Sequence, residues 1–101
     1  MRQIIEGKVY DTNKAAKLCE IECTAYRGDF RYHDTALYVT KNGAYFLAGH
    51  GNALSMWAES CAGGTCGGQG IRVLTLEEAK EYGQNDMSVD DYIEHFGVEE
   101  A

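Results

Sequence analysis

The sequence predicts an α+β fold in which a small antiparallel sheet is followed by two helices. A β-hairpin pattern occupies residues 37–51, stretches typical of strands flank it, and two capped helical patterns follow near the end of the chain. The length of 101 residues suits one hydrophobic core, so we expect a single α+β domain over residues 1–101.

The central hairpin is the most clearly marked element, with the sequence LYVTKNGAYFLAGHG. Its arms are rich in β-branched and aromatic residues, and an Asn-Gly pair lies between them at positions 42–43. Asn-Gly favours a two-residue type I′ turn, because both central residues of that turn need positive φ. This turn predicts that Val39 lies opposite Phe46 and Leu37 opposite Ala48. Both faces would then be largely apolar, so we expect other elements to cover the sheet on each side.

Shorter stretches predict the rest of the sheet. Residues 3–10 are expected to form a first strand with a turn or bulge at its glycine. Residues 17–26 alternate between two faces, which is the period of a strand rather than of a helix. Residues 71–76 predict the last strand. Between the hairpin and this strand, residues 53–60 predict one or two helical turns and residues 61–70 a flexible glycine-rich loop.

Two helices are predicted from their capping residues. Thr75 is the N-cap of the first helix, and Glu78, three residues later, completes a capping box. Ser88 is the N-cap of the second helix, with Asp91 at the corresponding third position. Gly97 is expected to end that helix.

The formal net charge of −7 is unevenly distributed. Residues 1–60 carry seven Lys or Arg and seven Asp or Glu, whereas residues 61–101 carry two and nine. The basic footprint of a nucleic-acid-binding domain is missing, so direct DNA or RNA binding is not expected. The acidic end is either a solvated helical surface or a docking face for a basic surface of a partner protein. The docking hypothesis assigns partner contact to Glu77, Glu78, Glu81, Asp86, Asp90, Asp91 and Glu94.

The hydropathy of the chain predicts a cytoplasmic protein. No run of about eighteen apolar residues is present, so no transmembrane helix is expected. The N-terminal stretch MRQIIEGKVYD lacks the apolar core of a signal peptide. Reduced thiols are expected in that compartment.

The four cysteines suggest a structural zinc site. Cys61 and Cys66 lie in the glycine-rich loop, which can fold both sulfurs onto one ion. Cys19 and Cys23 would stand roughly 13 Å apart along a strand, so only one of them can join the site. Cys23 and His50 are expected at the sheet end that lies away from the hairpin turn. We therefore predict a zinc ion bound by Cys23, His50, Cys61 and Cys66, with Cys19 as the substitute for Cys23.

Alternatives to zinc stay open at this point. The cysteines can be small buried or free thiols, and Cys61 and Cys66 can form a disulfide if the protein meets an oxidant. A catalytic cysteine is disfavoured because nothing near Cys61, Cys66 or His50 marks a nucleophile elbow or an oxyanion hole. The glycine run lacks the lysine and Ser/Thr of a P-loop. We expect no catalytic residues and no enzyme activity.

Five stretches, in chain order, carry a family resemblance. They are GKVYDT (7–12), LYVTKNGAYFLAGHG (37–51), ALSMW (53–57), LTLEEAKEY (74–82) and YIEHFG (92–97). Together they resemble a family of small, mostly uncharacterised proteins from phages and mobile elements of Firmicutes-type bacteria. The cysteine loop at 61–66 departs from the commoner members.

The resemblance implies a protein that is encoded by a mobile element and acts in the cytoplasm of a bacterial host cell. Small acidic proteins of such elements are often inhibitors of host defence, and anti-CRISPR proteins are the leading example. We therefore expect a non-enzymatic inhibitor that binds a basic channel of a Cas effector and blocks DNA loading. The alternatives are a structural or regulatory accessory protein of a mobile element and a small zinc- or thiol-dependent enzyme.

Overall fold

A four-stranded antiparallel sheet forms the centre of the fold, and other elements cover both of its faces. The computed structural model describes residues 1–99. In chain order the elements are β1 (Arg2–Ile5), β2 (Lys8–Asp11), β3 (Ala16–Ile21), β4 (His33–Val39), β5 (Tyr45–Gly51), β6 (Glu59–Cys61), β7 (Gly64–Cys66), β8 (Gly68–Leu74), α1 (Leu76–Asp86) and α2 (Val89–Phe96). The central sheet has the strand order β3-β4-β5-β8, and β1–β2 and β6–β7 form two separate hairpins. The predicted α+β class, with an antiparallel sheet and two C-terminal helices, is confirmed.

The β4–β5 hairpin forms where it was predicted, but its register differs by one residue. Leu37 pairs with Leu47, and Tyr38 pairs with Phe46. The predicted pairing of Leu37 with Ala48 is therefore wrong. Because side chains alternate along a strand, this shift changes which residues of the two strands share a face.

A three-residue loop causes the observed register. The Gly43 N–H donates to the Thr40 carbonyl at 3.0 Å, and the Thr40 N–H donates to the Ala44 carbonyl at 2.8 Å. The Thr40 hydroxyl also accepts the Ala44 N–H at 3.0 Å. Gly43 has a φ of +83°, whereas Asn42 does not adopt positive φ. This is the pattern of a type I turn followed by a left-handed glycine, and the Thr40 side chain supplies a bond that a type I′ turn would lack.

The helices cover one face of the sheet. Leu37 and Leu47 are fully buried there, together with Leu74 at the end of β8 and Ala79 of α1. On the other face Phe46 is fully buried beneath the β1–β2 hairpin. The expectation that both faces are covered is confirmed.

An aromatic cluster holds the β1–β2 hairpin against the sheet. The rings of Tyr10 and Phe46 meet edge to face with centroids 5.5 Å apart, and Tyr38 stacks on Phe46 at 5.2 Å. The turn of this hairpin lies at Glu6 and Gly7, which have φ values of +50° and +78°. The single first strand predicted over residues 3–10 is thus two strands joined by this turn.

Strand β3 is shorter than predicted and is irregular. The predicted strand covered residues 17–26, but β3 ends at Ile21. Its pairing with β4 shifts between Lys17 and Cys19, which indicates a β-bulge. Because β3 ends at Ile21, Cys23 lies in the following loop and not on the sheet.

The segment between β5 and β8 also differs from the prediction. Residues 53–58 form turns and no α-helix. The glycine-rich stretch that we expected to be a loop forms the β6–β7 hairpin and the first part of β8. Glycines are poor strand formers when taken alone, so the backbone pairing was not visible in the residue types.

Both helices begin as predicted, and the second helix also ends at Gly97 as predicted. The Thr75 hydroxyl accepts the Glu78 N–H at 3.2 Å, and the Glu78 carboxylate accepts the Thr75 N–H at 2.9 Å. The Ser88 hydroxyl accepts the Asp91 N–H at 3.2 Å. The chain leaves α2 at Gly97, which has a φ of +75°.

Trp57 packs against the helix-covered face of the sheet next to Gly49. Its indole Nε1–H donates to the Thr35 hydroxyl at 2.8 Å, and both side chains are buried. A Cβ added at Gly49 would clash with the Asp34 carbonyl and would lie 2.8 Å from Trp57 Nε1. The position therefore needs glycine, because the strand and the indole approach each other closely.

We predict that Gly49→Ala lowers the free energy of unfolding by about 1–3 kcal/mol, as overpacking of a filled site does. The matched control is Gly70→Ala on the paired strand, because Gly70 lies opposite Gly49 and an added Cβ there would meet Trp57 at an ordinary 3.7 Å. Urea unfolding of the three proteins measures the difference. Equal stability of the two variants would contradict the close packing.

We predict that Thr35→Val destabilises the fold by about 1–3 kcal/mol, because the buried indole N–H of Trp57 loses its acceptor. Thr35→Ser keeps the hydroxyl and should retain most of the stability. Thermal unfolding followed by tryptophan fluorescence measures both variants. A Val variant as stable as the wild type, with Ser the less stable of the two, would contradict a stabilising hydrogen bond at this position.

Candidate functional site

The acidic surface predicted from the sequence lies on the outer side of α1 and α2. Six of its seven carboxylates are exposed, and the seventh, Asp86, is partly buried. The ion pairs within residues 1–99 all lie elsewhere in the chain: on β3, in the loop that follows it, and between β4 and β5. None of the seven carboxylates has a cationic partner in that range.

Two of these carboxylates stabilise the fold itself. The Asp86 Oδ1 accepts the backbone N–H of Glu22 at 2.9 Å and so ties the end of α1 to the segment after β3. Glu78 closes the capping box described above. The structure therefore leaves five carboxylates free to contact a partner: Glu77, Glu81, Asp90, Asp91 and Glu94. We refer to these five as the acidic face.

An apolar groove lies between the two helices beside the acidic face. Its volume is about 220 Å³, and its lining includes Met87, Val89, Tyr92, Ile93 and Val98. Val89 and Val98 are 74% and 57% exposed, which is high for aliphatic side chains. Residues four apart lie along one side of a helix, so Asp90 and Glu94 form the row next to Val89 and Ile93. The surface thus combines negative charge with exposed apolar side chains.

The four predicted zinc ligands lie in three separate places. The Cys23 sulfur accepts the backbone N–H of His33 at 3.5 Å in the loop after β3. His50 lies on β5, where its Nε2 is 3.6 Å from the Asp34 carboxylate. The other two predicted ligands lie on the β6–β7 hairpin. Within residues 1–99 no group of three or more His, Cys, Asp or Glu side chains is arranged to hold a metal ion.

The alternation of side chains along β5 explains why His50 faces away from Trp57, which precedes the cysteine hairpin by two residues. Side chains alternate along β5, and Gly49 faces Trp57 on the side of the helices. His50 therefore faces the opposite side, where it lines a shallow pocket with Met1 and Thr12. The sequence pattern correctly placed His50 at the end of the sheet away from the hairpin turn, but it did not show which face of the sheet the side chain lies on. A zinc ion bound by all four residues stays a prediction, which elemental analysis of the purified protein tests directly.

Cys61 and Cys66 are brought together on the β6–β7 hairpin. Cys61 is exposed and Cys66 is partly exposed. A hydrogen bond with the Cys61 side chain is the main cause that raises the pKa of the Cys66 thiol. The Cys66 thiol also lies 3.6 Å from the carbonyl oxygen of Glu59, to which it donates. Two neighbouring thiols of this kind can bind a metal ion as two sulfur ligands, or can take part in thiol–disulfide exchange.

Cys19 has a different environment. It is partly buried on β3, and burial raises the pKa of its thiol to about 11, with a smaller contribution from the negative charge of Asp86. The neutral thiol is therefore the stable form over the physiological range, which is typical of a cysteine that fills space in a core.

We predict that Cys19 is the slowest of the four cysteines to react with iodoacetamide in the folded protein at about pH 8, since only the thiolate reacts. Its rate should keep rising with pH until about 11. Mass spectrometry of tryptic peptides over a pH series measures the rates, and the urea-unfolded protein is the control. Modification of Cys19 as fast as of Cys61 in the folded state would contradict the burial argument.

A basic cleft on the opposite side of the sheet was missed by the sequence analysis. It has a volume of about 770 Å³ and lies between the β1–β2 hairpin and the turn of β4–β5. Arg2, Lys14 and Lys41 line it, together with Asp11. No local signal predicted it, because these residues are far apart in the sequence and only the packing of the hairpin brings them together.

Comparison with protein-family models, curated proteins and solved structures finds no match for this chain. Among the helices described over residues 1–99, none has the length and apolar character needed to cross a bilayer.

Proposed function

We propose that this protein is a non-enzymatic inhibitor that binds a basic, nucleic-acid-binding surface of a host defence effector. The acidic face on α1 and α2 is the contact surface, and the anti-CRISPR-like outcome is that DNA no longer enters the channel. The observation that supports the proposal is the set of five exposed carboxylates without a cationic partner within residues 1–99.

The charge arrangement favours binding to a basic partner. Glu77 and Glu81 are four residues apart on α1, and Asp90 and Glu94 are four residues apart on α2. Like charges at this spacing repel each other by roughly 0.2–0.5 kcal/mol per pair. A partner that supplies lysine or arginine side chains relieves the repulsion and is attracted over a distance of about one Debye length, roughly 8–10 Å.

The apolar groove adds a contribution that salt does not screen. Val89, Ile93 and Val98 are exposed on it and would be buried by a partner side chain. Each aliphatic side chain removed from water contributes roughly 1.5–3 kcal/mol when burial is complete. A partner surface that has an aliphatic side chain among its basic residues therefore fits this surface better than a partner surface that offers basic residues alone.

The proposal predicts that the wild-type protein blocks target-DNA binding by a purified, guide-RNA-loaded Cas9 effector. Glu81→Lys combined with Glu94→Lys should weaken the block by about tenfold or more at low salt, because both charges lie on the contact surface. Neither residue lies in the first turn of its helix or forms a cap, so the fold should be retained. Electrophoretic mobility shift of the target DNA measures the inhibition.

The matched control combines Glu6→Lys with Glu59→Lys, two exposed sites outside the helices. It changes the net charge by the same amount and should inhibit as the wild type does. Equal weakening by both double variants would show that only the overall charge matters and would reject the acidic face. Absence of inhibition by the wild-type protein would reject the inhibitor proposal and favour an accessory role.

A further inference from the structure

The β6–β7 hairpin is a part of the molecule that the proposed function does not use. Its two strands pair only with each other and not with the central sheet. Cys61 pairs with Gly64, and Cys66 pairs with Glu59. Alternate residues of a strand share a face, so both cysteines lie on the same side of the hairpin as diagonal neighbours.

The two cysteines are diagonal neighbours on adjacent strands of the hairpin, and the backbone between them can adjust. The connecting turn contains Gly63 and Gly64, with φ values of +86° and +149°. A Cβ built on either glycine would meet no atom within 4 Å, so the turn projects into open space.

We propose that Cys61 and Cys66 form a reversible dithiol–disulfide pair, which low-molecular-weight disulfides such as oxidised glutathione oxidise in preference to Cys19 and Cys23. The geometry points to this assignment because these are the two cysteines that share one exposed face of a hairpin. The site would respond to the thiol–disulfide balance of the cell.

The reaction proceeds by two exchanges. The exposed Cys61 sulfur, as thiolate, attacks one sulfur of the small disulfide, whose S–S bond breaks and releases one thiolate with the bonding electron pair. The Cys66 sulfur, after losing its proton, then attacks the Cys61 sulfur of the mixed disulfide and releases the second thiolate. The protein loses two electrons and two protons, and the small disulfide becomes two thiols.

The same geometry makes the bond easy to reduce. Cα atoms of diagonal neighbours are roughly 7–8 Å apart, whereas those of disulfide-bonded cysteines are mostly roughly 5.5–6 Å apart. The hairpin backbone must move to close the bond, and the glycine turn permits this movement. Exposed disulfides that distort their surroundings are the labile, regulatory ones. We therefore assign the pair to reversible signalling and not to permanent stabilisation.

The other two cysteines are protected by their surroundings. Cys19 is partly buried on β3 among core side chains. The Cys23 sulfur accepts the His33 N–H and donates to the Ala25 carbonyl at 3.8 Å. Both lie outside the β6–β7 hairpin, in the strand β3 and the loop that follows it.

The sequence offers a direct test with an internal control. Trypsin releases residues 42–72, which contain Cys61 and Cys66, and residues 18–27, which contain the other two cysteines. The folded protein is treated with a chelator to remove any bound metal, incubated with oxidised glutathione, unfolded in iodoacetamide and digested. The 42–72 peptide should lose two hydrogens and carry no alkyl label, at least about tenfold faster than the 18–27 peptide is oxidised. If the oxidised protein is reduced with dithiothreitol before alkylation, both cysteines of the 42–72 peptide should again carry an alkyl label.

Two variants test the order of the steps. Cys66→Ser removes the second sulfur, so Cys61 should hold glutathione as a stable mixed disulfide. Cys23→Ser should still form the disulfide in the 42–72 peptide at the wild-type rate. The proposal is overturned if the 42–72 peptide keeps both labels under the oxidant, or if both peptides are oxidised at equal rates. The assigned order is overturned if Cys61→Ser accumulates the adduct as fast as Cys66→Ser.

Discussion

The close approach of Trp57 to the central sheet is the contact on which the rest of the structure depends. The indole lies next to Gly49 of β5 and Gly70 of β8, and its N–H is fixed by the Thr35 hydroxyl of β4. One side chain thus contacts three of the four strands. Because Trp57 precedes β6 by two residues, the same contact determines where the cysteine hairpin leaves the core.

The sheet separates two surfaces of opposite charge. The helix layer carries the acidic face, and the basic cleft lies on the other side of the sheet, between the β1–β2 hairpin and the β4–β5 turn. The negative net charge of the chain is therefore an average over two regions and describes neither of them well. A basic partner that meets the helix side first is attracted, whereas the opposite side would repel it, so the charge distribution orients the encounter as well as accelerating it.

Features that depend on neighbouring residues in the sequence were predictable, and features that depend on packing were not. The two helices followed from Thr75 and Ser88, because a cap is a local interaction. The hairpin register was not predictable, because residues 41–43 form a three-residue loop, in which the Thr40 hydroxyl accepts the Ala44 N–H, rather than the two-residue turn that Asn-Gly favours. The exposed helix carboxylates were predictable as a group, but the structural role of Asp86 required knowledge of a residue 64 positions earlier.

The cysteines show the same limit. Alternation correctly suggested a strand near Cys19, but β3 ends at Ile21 and leaves Cys23 in the loop, and the expected meeting of four ligands does not form within residues 1–99. Cys61 and Cys66 lie on the two paired strands of the glycine-rich hairpin, within residues 1–99.

The bulge in β3 has another consequence, for how copies of the chain meet. Strand β3 is an edge of the central sheet, and an edge strand offers unpaired N–H and C=O groups to any other extended chain. The shift between Lys17 and Cys19 breaks the regular spacing of those groups, and the Lys17–Glu20 ion pair on the same strand adds charges that an incoming strand would have to desolvate. The irregularity therefore opposes edge-to-edge pairing of β3 with another chain.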